Sequence, residues 1–149
     1  MKPVKFIITG ALSLTLAASG FAAGDSPISH RQAAMKDISE QMKILGGMTR
    51  IGGTYDDFLA IAAFETMQND VRVAQESFPA GSDIGENTRA KPAIWADGSD
   101  FSARMQRFLE DVSAAVNAEA ATQADFVPLF AAVSENCKSC HERYRAPKN

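Results

Sequence analysis

The chain has 149 residues, with 15 Lys and Arg against 18 Asp and Glu, for a formal net charge of −3 at pH 7. That length suits one domain, and the acidic balance argues against a binder of nucleic acid or of anionic lipid. With only 2 cysteines and 2 histidines, sulfur or imidazole chemistry has few places to sit.

The chain opens MKPVK and continues FIITGALSLTLAASGFAAG without a charge. A basic start, an apolar middle and a small-residue exit describe a secretory signal peptide over residues 1–23. A membrane anchor is the competing reading. Thr9, Gly10, Ser13, Thr15 and Ser19, together with the cleavable exit, weigh against it. The mature domain, 24–149, is therefore expected in the periplasm with no membrane span. Its charge is about −5, since two lysines leave with the leader and no acid does.

The mature sequence reads as helical throughout, with four stretches repeating apolar residues at steps of three and four. The first carries Ile28, Met35, Ile38, Met42 and Leu45, with Ser29 and Gln32 placed as a capping box and an end expected around the glycine pairs Gly46-Gly47 and Gly52-Gly53. Thr54 and Asp57 suit the start of a second, whose inner face is Ile61, Phe64, Met67 or Gln68, Val71, Ala74 and Phe78. Residues 79–92, PAGSDIGENTRAKP, form a long irregular connection of the kind that often has a task. A third helix starts at Asp97 or Ser99 and turns Phe101, Met105, Phe108, Val112 and Ala115 inward. Asp125 suits the cap of a fourth, with Pro128 in its first turn. Short links within each pair make an all-α, antiparallel up-and-down four-helix bundle the economical arrangement.

The fourth helix holds both cysteines. Phe126, Phe130, Val133, Cys137, Cys140 and Tyr144 share its inner stripe, with His141 beside them. In an exported chain two cysteines default to a disulfide. A redox CxxC sits at a helix start, where the dipole lowers a thiol pKa, whereas this pair lies near a helix end. A zinc site needs a fourth ligand, and the other histidine, His30, is far away in sequence. C-x-x-C-H is also the attachment signature of c-type haem. Two thiols one turn apart can each add to a vinyl group, and the following histidine can bind the iron. That chemistry explains the spacing, which a haem-free bundle would not.

A haem motif at the end of a four-helix chain resembles the class II cytochromes c, the cytochrome c′ family. HRQAAM at 30–35, TYDDF after the glycines, FPAGSD…TRAKPAIWAD and CKSCHERYR are all similar to that family's segments. His30 departs from it, standing where the family often has tyrosine. The resemblance implies one covalent haem c in the bundle core, with thioethers at Cys137 and Cys140 and His141 as proximal iron ligand. It places Arg31 and Gln32 near the haem propionates, joined by Thr88 or Arg89, with Arg145 over the proximal imidazole. Met35 aligns over the distal face and is the expected sixth ligand, as in the family's low-spin branch. Trp95 is read as a loop anchor. Two functions follow, neither enzymatic. The first is a periplasmic electron carrier serving a redox partner protein. The alternative is a five-coordinate protein binding nitric oxide or another diatomic gas. A homodimer is compatible with either.

Overall fold

The computed structural model describes residues 26–148, so the leader expected over residues 1–23 lies outside the described residues. These residues form helices α1 (Pro27–Met48), α2 (Asp57–Glu76), α3 (Ala93–Ala96), α4 (Gly98–Asn117) and α5 (Gln123–Tyr144). Four are long; α3 is a single turn inside the long connection. Packing runs α1 on α2, α2 on α4, α4 on α5 and α5 back on α1, which closes a four-helix bundle. Among the described residues no helix is long and apolar enough to cross a membrane.

Several helix ends differ from expectation. Pro27 takes the first position of α1, where no intrahelical donor is needed, and Ser26 caps it. The Ser26 side chain accepts from the Ser29 backbone at 3.0 Å, and Ser29 Oγ accepts from the Ser26 backbone at 3.1 Å. The capping box is thus Ser26/Ser29, one turn before Ser29/Gln32, because serine fills the second role as well as glutamine. Nor do Gly46 and Gly47 stop the helix. Leu45 and Met48 bury on either side of them, and that apolar burial outweighs glycine's helix penalty of about 1 kcal/mol. The turn that follows does need glycine: Gly52 has φ +79, and a Cβ at Gly53 would fall 2.5 Å from the Gly47 carbonyl oxygen.

Asp56, not Thr54, caps α2, accepting from the Leu59 backbone at 2.9 Å. Met67 rather than Gln68 points inward; Gln68 instead donates to Ser113 Oγ on α4. Ile61 is only half-buried and Phe78 lies past the helix end. In α5 Thr122 caps, accepting from Asp125, which was the expected cap. Pro128 therefore sits in the second turn, where it removes one intrahelical bond to the Ala124 carbonyl. The buried face of α4 is as read from the sequence.

Two aromatic groups close the bundle. At one end Phe126 packs on Tyr55, Phe64 and Phe130, with centroids 5.1, 6.0 and 5.9 Å away. At the other, Trp95, Phe78, Phe101 and Tyr144 form a chain with centroids 6.3, 4.8 and 5.2 Å apart. The last turns of α5 lie at this second end, which places Cys137, Cys140 and His141 beside the long connection.

Candidate haem site

Cys137 and Cys140 stand one turn apart as free, half-buried thiols. Burial pushes the pKa of both up; Arg145 opposes this at Cys137, and Arg104 at Cys140. Both stay S–H at neutral pH. That is the reverse of a redox pair, which needs an accessible thiolate, and it suits addition of S–H across a vinyl group. His141 is also half-buried. Burial first, then Arg145 and Arg89, pull its pKa down to about 4. The imidazole is neutral at pH 7, with a lone pair available to a metal.

These residues face a slot of two lobes, about 460 Å³ and about 370 Å³, both lined by Met35, Met105, Cys140, His141 and Arg145. One lobe runs under the long connection past Gln32, Phe78 and Thr88. The other runs between α1, α4 and α5 past Ile38, Met42, Phe108 and Cys137. Lobes of this size match the range of ligand and cofactor pockets. Two thiols and a neutral imidazole lie on one wall, apolar side chains on the others, and Arg31, Gln32 and Arg89 toward the loop. A flat apolar macrocycle with an acidic edge fits that lining. Cys137 and Cys140 would hold it by thioethers and His141 would bind its iron; bound, the group supplies an iron centre for one-electron chemistry or for small ligands.

The other residues named from the sequence sort as follows. Met35 is half-buried and lines both lobes together with His141. Arg31 is buried on the slot wall and holds the loop. Its Nη1 donates to Ser77 O and Ser82 Oγ at 3.0 and 2.9 Å, and its Nη2 to Ser82 O and Thr88 Oγ1 at 2.6 and 2.9 Å. The guanidinium also lies 4.9 Å from the Phe78 ring centroid and 5.9 Å from that of Trp95. Desolvation lowers its pKa against the pull of Glu86. Thr88 is thus a partner of Arg31. Gln32 donates to the Glu86 carbonyl at 3.0 Å, steadying a turn in which Glu86 and Asn87 have positive φ. Arg89 donates through Nε and Nη2 to the Ala146 carbonyl at 2.9 and 2.6 Å. Trp95 anchors the loop by donating to Phe78 O and Pro79 O. Arg145 borders both lobes, and His30 is exposed on α1.

Sequence reasoning missed two features. Met105 of α4 lines both lobes, and its only signal was its place on a core stripe. The loop is also pinned to the end of α5: Lys91 N donates to Tyr144 O at 2.9 Å and Ala146 N to Arg89 O at 2.8 Å. Tyr144 in turn donates to Asp100 Oδ2 at 2.5 Å, which also accepts from Arg104 at 2.7 Å, and Arg143 pairs with Asp97.

Replacing Arg31 by Ala is expected to destabilise the domain by about 2–4 kcal/mol, since charged hydrogen bonds are lost and buried carbonyls are left unpaired. Thermal unfolding should fall by roughly 10 °C. Arg31→Lys should recover little, because an ammonium cannot reach four acceptors in a fork. An unchanged midpoint for Arg31→Ala would show that the loop is held elsewhere.

Comparison with known proteins agrees with this geometry. A family model described as Cytochrome C′ matches residues 26–145. The cytochrome c′ of Rhodopseudomonas palustris is 30% identical, covering 98% of this chain and 100% of that one. The cytochrome c-556 of Agrobacterium fabrum is 28% identical, over 86% of this chain and 85% of its own. Among solved structures, cytochrome c prime from Shewanella frigidimarina superposes with a TM-score of 0.75 at 29% identity, covering 81% of this chain and 94% of that one. A family model matched over residues 26–145, most of the chain, places it plainly: the chain belongs to the cytochrome c′ family.

Proposed function

We propose that the chain is an exported cytochrome c′ that binds a diatomic gas such as nitric oxide at the iron held by His141, and turns over no substrate. The observation that carries this reading is the donor set of the slot. His141 is the one imidazole on its walls, and α1 lines it with the thioethers of Met35 and Met42 and with Gln32 and Ser39, none of them a strong neutral nitrogen donor. Iron held there by His141 would have one strong protein ligand, in a slot whose other walls are mainly apolar. The match to a family described as Cytochrome C′ over most of the chain points the same way.

On this reading residues 1–23 direct export to the periplasm and 24–149 form the haem domain. Gln32 and Arg89 meet the propionates directly, while Arg31 and Thr88 act through the loop they hold. Exposed Phe58 and Ile51, near the α1–α2 turn, suit a homodimer. Purified protein should show a high-spin spectrum in both oxidation states, and carbon monoxide should shift the ferrous spectrum at micromolar concentration. A low-spin spectrum indifferent to carbon monoxide would overturn the gas-binding role.

Electron carriage with His141/Met35 ligation is the second reading. Met35 favours it by bordering both lobes with His141, and so do the relatives named cytochrome c-556. A thioether sixth ligand would raise the potential and close the iron to gases.

A further inference from the structure

The surface outside His141 has a charge opposite to that of the chain. A shallow depression of about 550 Å³ over the last turn of α5 is lined by Arg89, Lys91, Lys138 and Arg145, and Glu142 is the one carboxylate in that lining. The whole chain, by contrast, carries −3. Glu142 offsets one of these cations, pairing with Lys138 across an exposed 3.8 Å contact, while Lys91 Nζ donates to its backbone carbonyl rather than to its carboxylate. Arg89 borders the face, held by the neutral Ala146 carbonyl; the haem reading gives its charge to a propionate, so the face rests on Lys91, Lys138 and Arg145. Nearby Arg143 is different, because Asp97 and Asp100 pair with it. The loop-to-α5 backbone bonds fix Arg89 and Lys91 in place before any partner arrives.

We propose that this cationic face is the docking surface for an acidic redox protein, which delivers electrons to the iron held by His141. The inference rests on the haem reading above but not on the sixth ligand, since a gas-binding iron must also be reduced. Two observations select this face. Cys137 and His141 line the same depression, so a partner seated there reaches the haem attachment point. Fields beyond about 8 Å are largely screened at physiological salt, so a docked partner feels these cations more than the distant acids. An acidic protein suits the face better than an anionic membrane. The apolar lining is only Ala146, Pro147 and Cys137, with no aromatic side chain to enter a bilayer, and the net charge opposes adsorption.

The test uses holoprotein and ferricyanide. One electron passes from iron(II) to ferricyanide, giving iron(III) and ferrocyanide, with no bond made and no proton moved. Stopped-flow rates should fall about fivefold between 10 and 200 mM ionic strength, as for a cationic target. Net charge alone would make them rise. Lys91→Glu/Lys138→Glu should slow the reaction about tenfold at low salt, and Arg72→Glu on α2 should not. A second readout ignores the iron: carbodiimide coupling of poly-L-glutamate should label Lys91, Lys138 and Lys148 ahead of Lys36 and Lys43. Rates that rise with salt, or evenly spread adducts, would overturn the proposal. So would binding to vesicles of equal phosphatidylglycerol and phosphatidylcholine that the double variant abolishes, which would give the face to a membrane. Failure of the haem reading shows separately, as a colourless protein in which the labelling map still decides the face.

Discussion

Made with haem-maturation machinery, the Cys137→Ala/Cys140→Ala variant is expected to lose all of its haem to acid acetone, while the parent chain keeps one haem per chain. Single variants should keep one thioether and retain haem less firmly. The thiols are one turn apart, free and half-buried on the slot wall, and burial keeps them protonated. Folding should follow haem. Met35, Ile38, Met105 and Phe108 line the slot, and without a macrocycle the space between them is a cavity in the core. Loss of even one buried side chain from a core costs several kcal/mol. Apoprotein should therefore show lower helix content by circular dichroism and a broad, weakly cooperative unfolding transition. A colourless parent protein with a Cys137–Cys140 disulfide, or an apoprotein as stable as the holoprotein, would refute the assignment.

The bundle was legible because its signal is periodic. Phe101, Met105, Phe108, Val112 and Ala115 recur at steps of four, three, four and three, and all five are buried. Helix ends were less legible, because several nearby residues can each cap and the choice depends on packing. Ser26 outcompetes Ser29, Asp56 outcompetes Thr54 and Thr122 outcompetes Asp125, each time by two or three residues. Gly46 and Gly47 look like a stop only until the burial of Leu45 and Met48 is known.

The site divides in the same way. Cys137, Cys140 and His141 form a local spacing, and the helix that carries them fixes their mutual geometry. Arg31 and Thr88 are 57 residues apart, and nothing local says that they share a hydrogen bond. Family resemblance put both near the slot without showing that Arg31 holds the loop. The pairing of residues 89–91 with 144–146 is equally non-local. It is made by backbone groups, which leave no mark on side-chain identity.

Met35→Ala is expected to leave a high-spin spectrum high-spin and to speed carbon monoxide association about tenfold or more. Met35 borders both lobes that contain His141, and on the gas-binding reading its side chain stands in the way of an incoming diatomic. Removing an unbranched, adaptable side chain widens that passage and leaves His141 untouched. The stability cost should be modest, about 1–2 kcal/mol, because Met35 is only half-buried. Met42 lies two turns further along α1, about 10 Å on, and cannot take its place over the same point. The electron-carrier reading makes the opposite forecast. Wild type would then be low-spin with a ferric sulfur-to-iron band, and Met35→Ala would abolish the band, lower the potential and open the iron to carbon monoxide for the first time. The two outcomes differ in the wild-type spectrum as well as in the variant's, so one pair of spectra decides whether Met35 guards the iron or binds it.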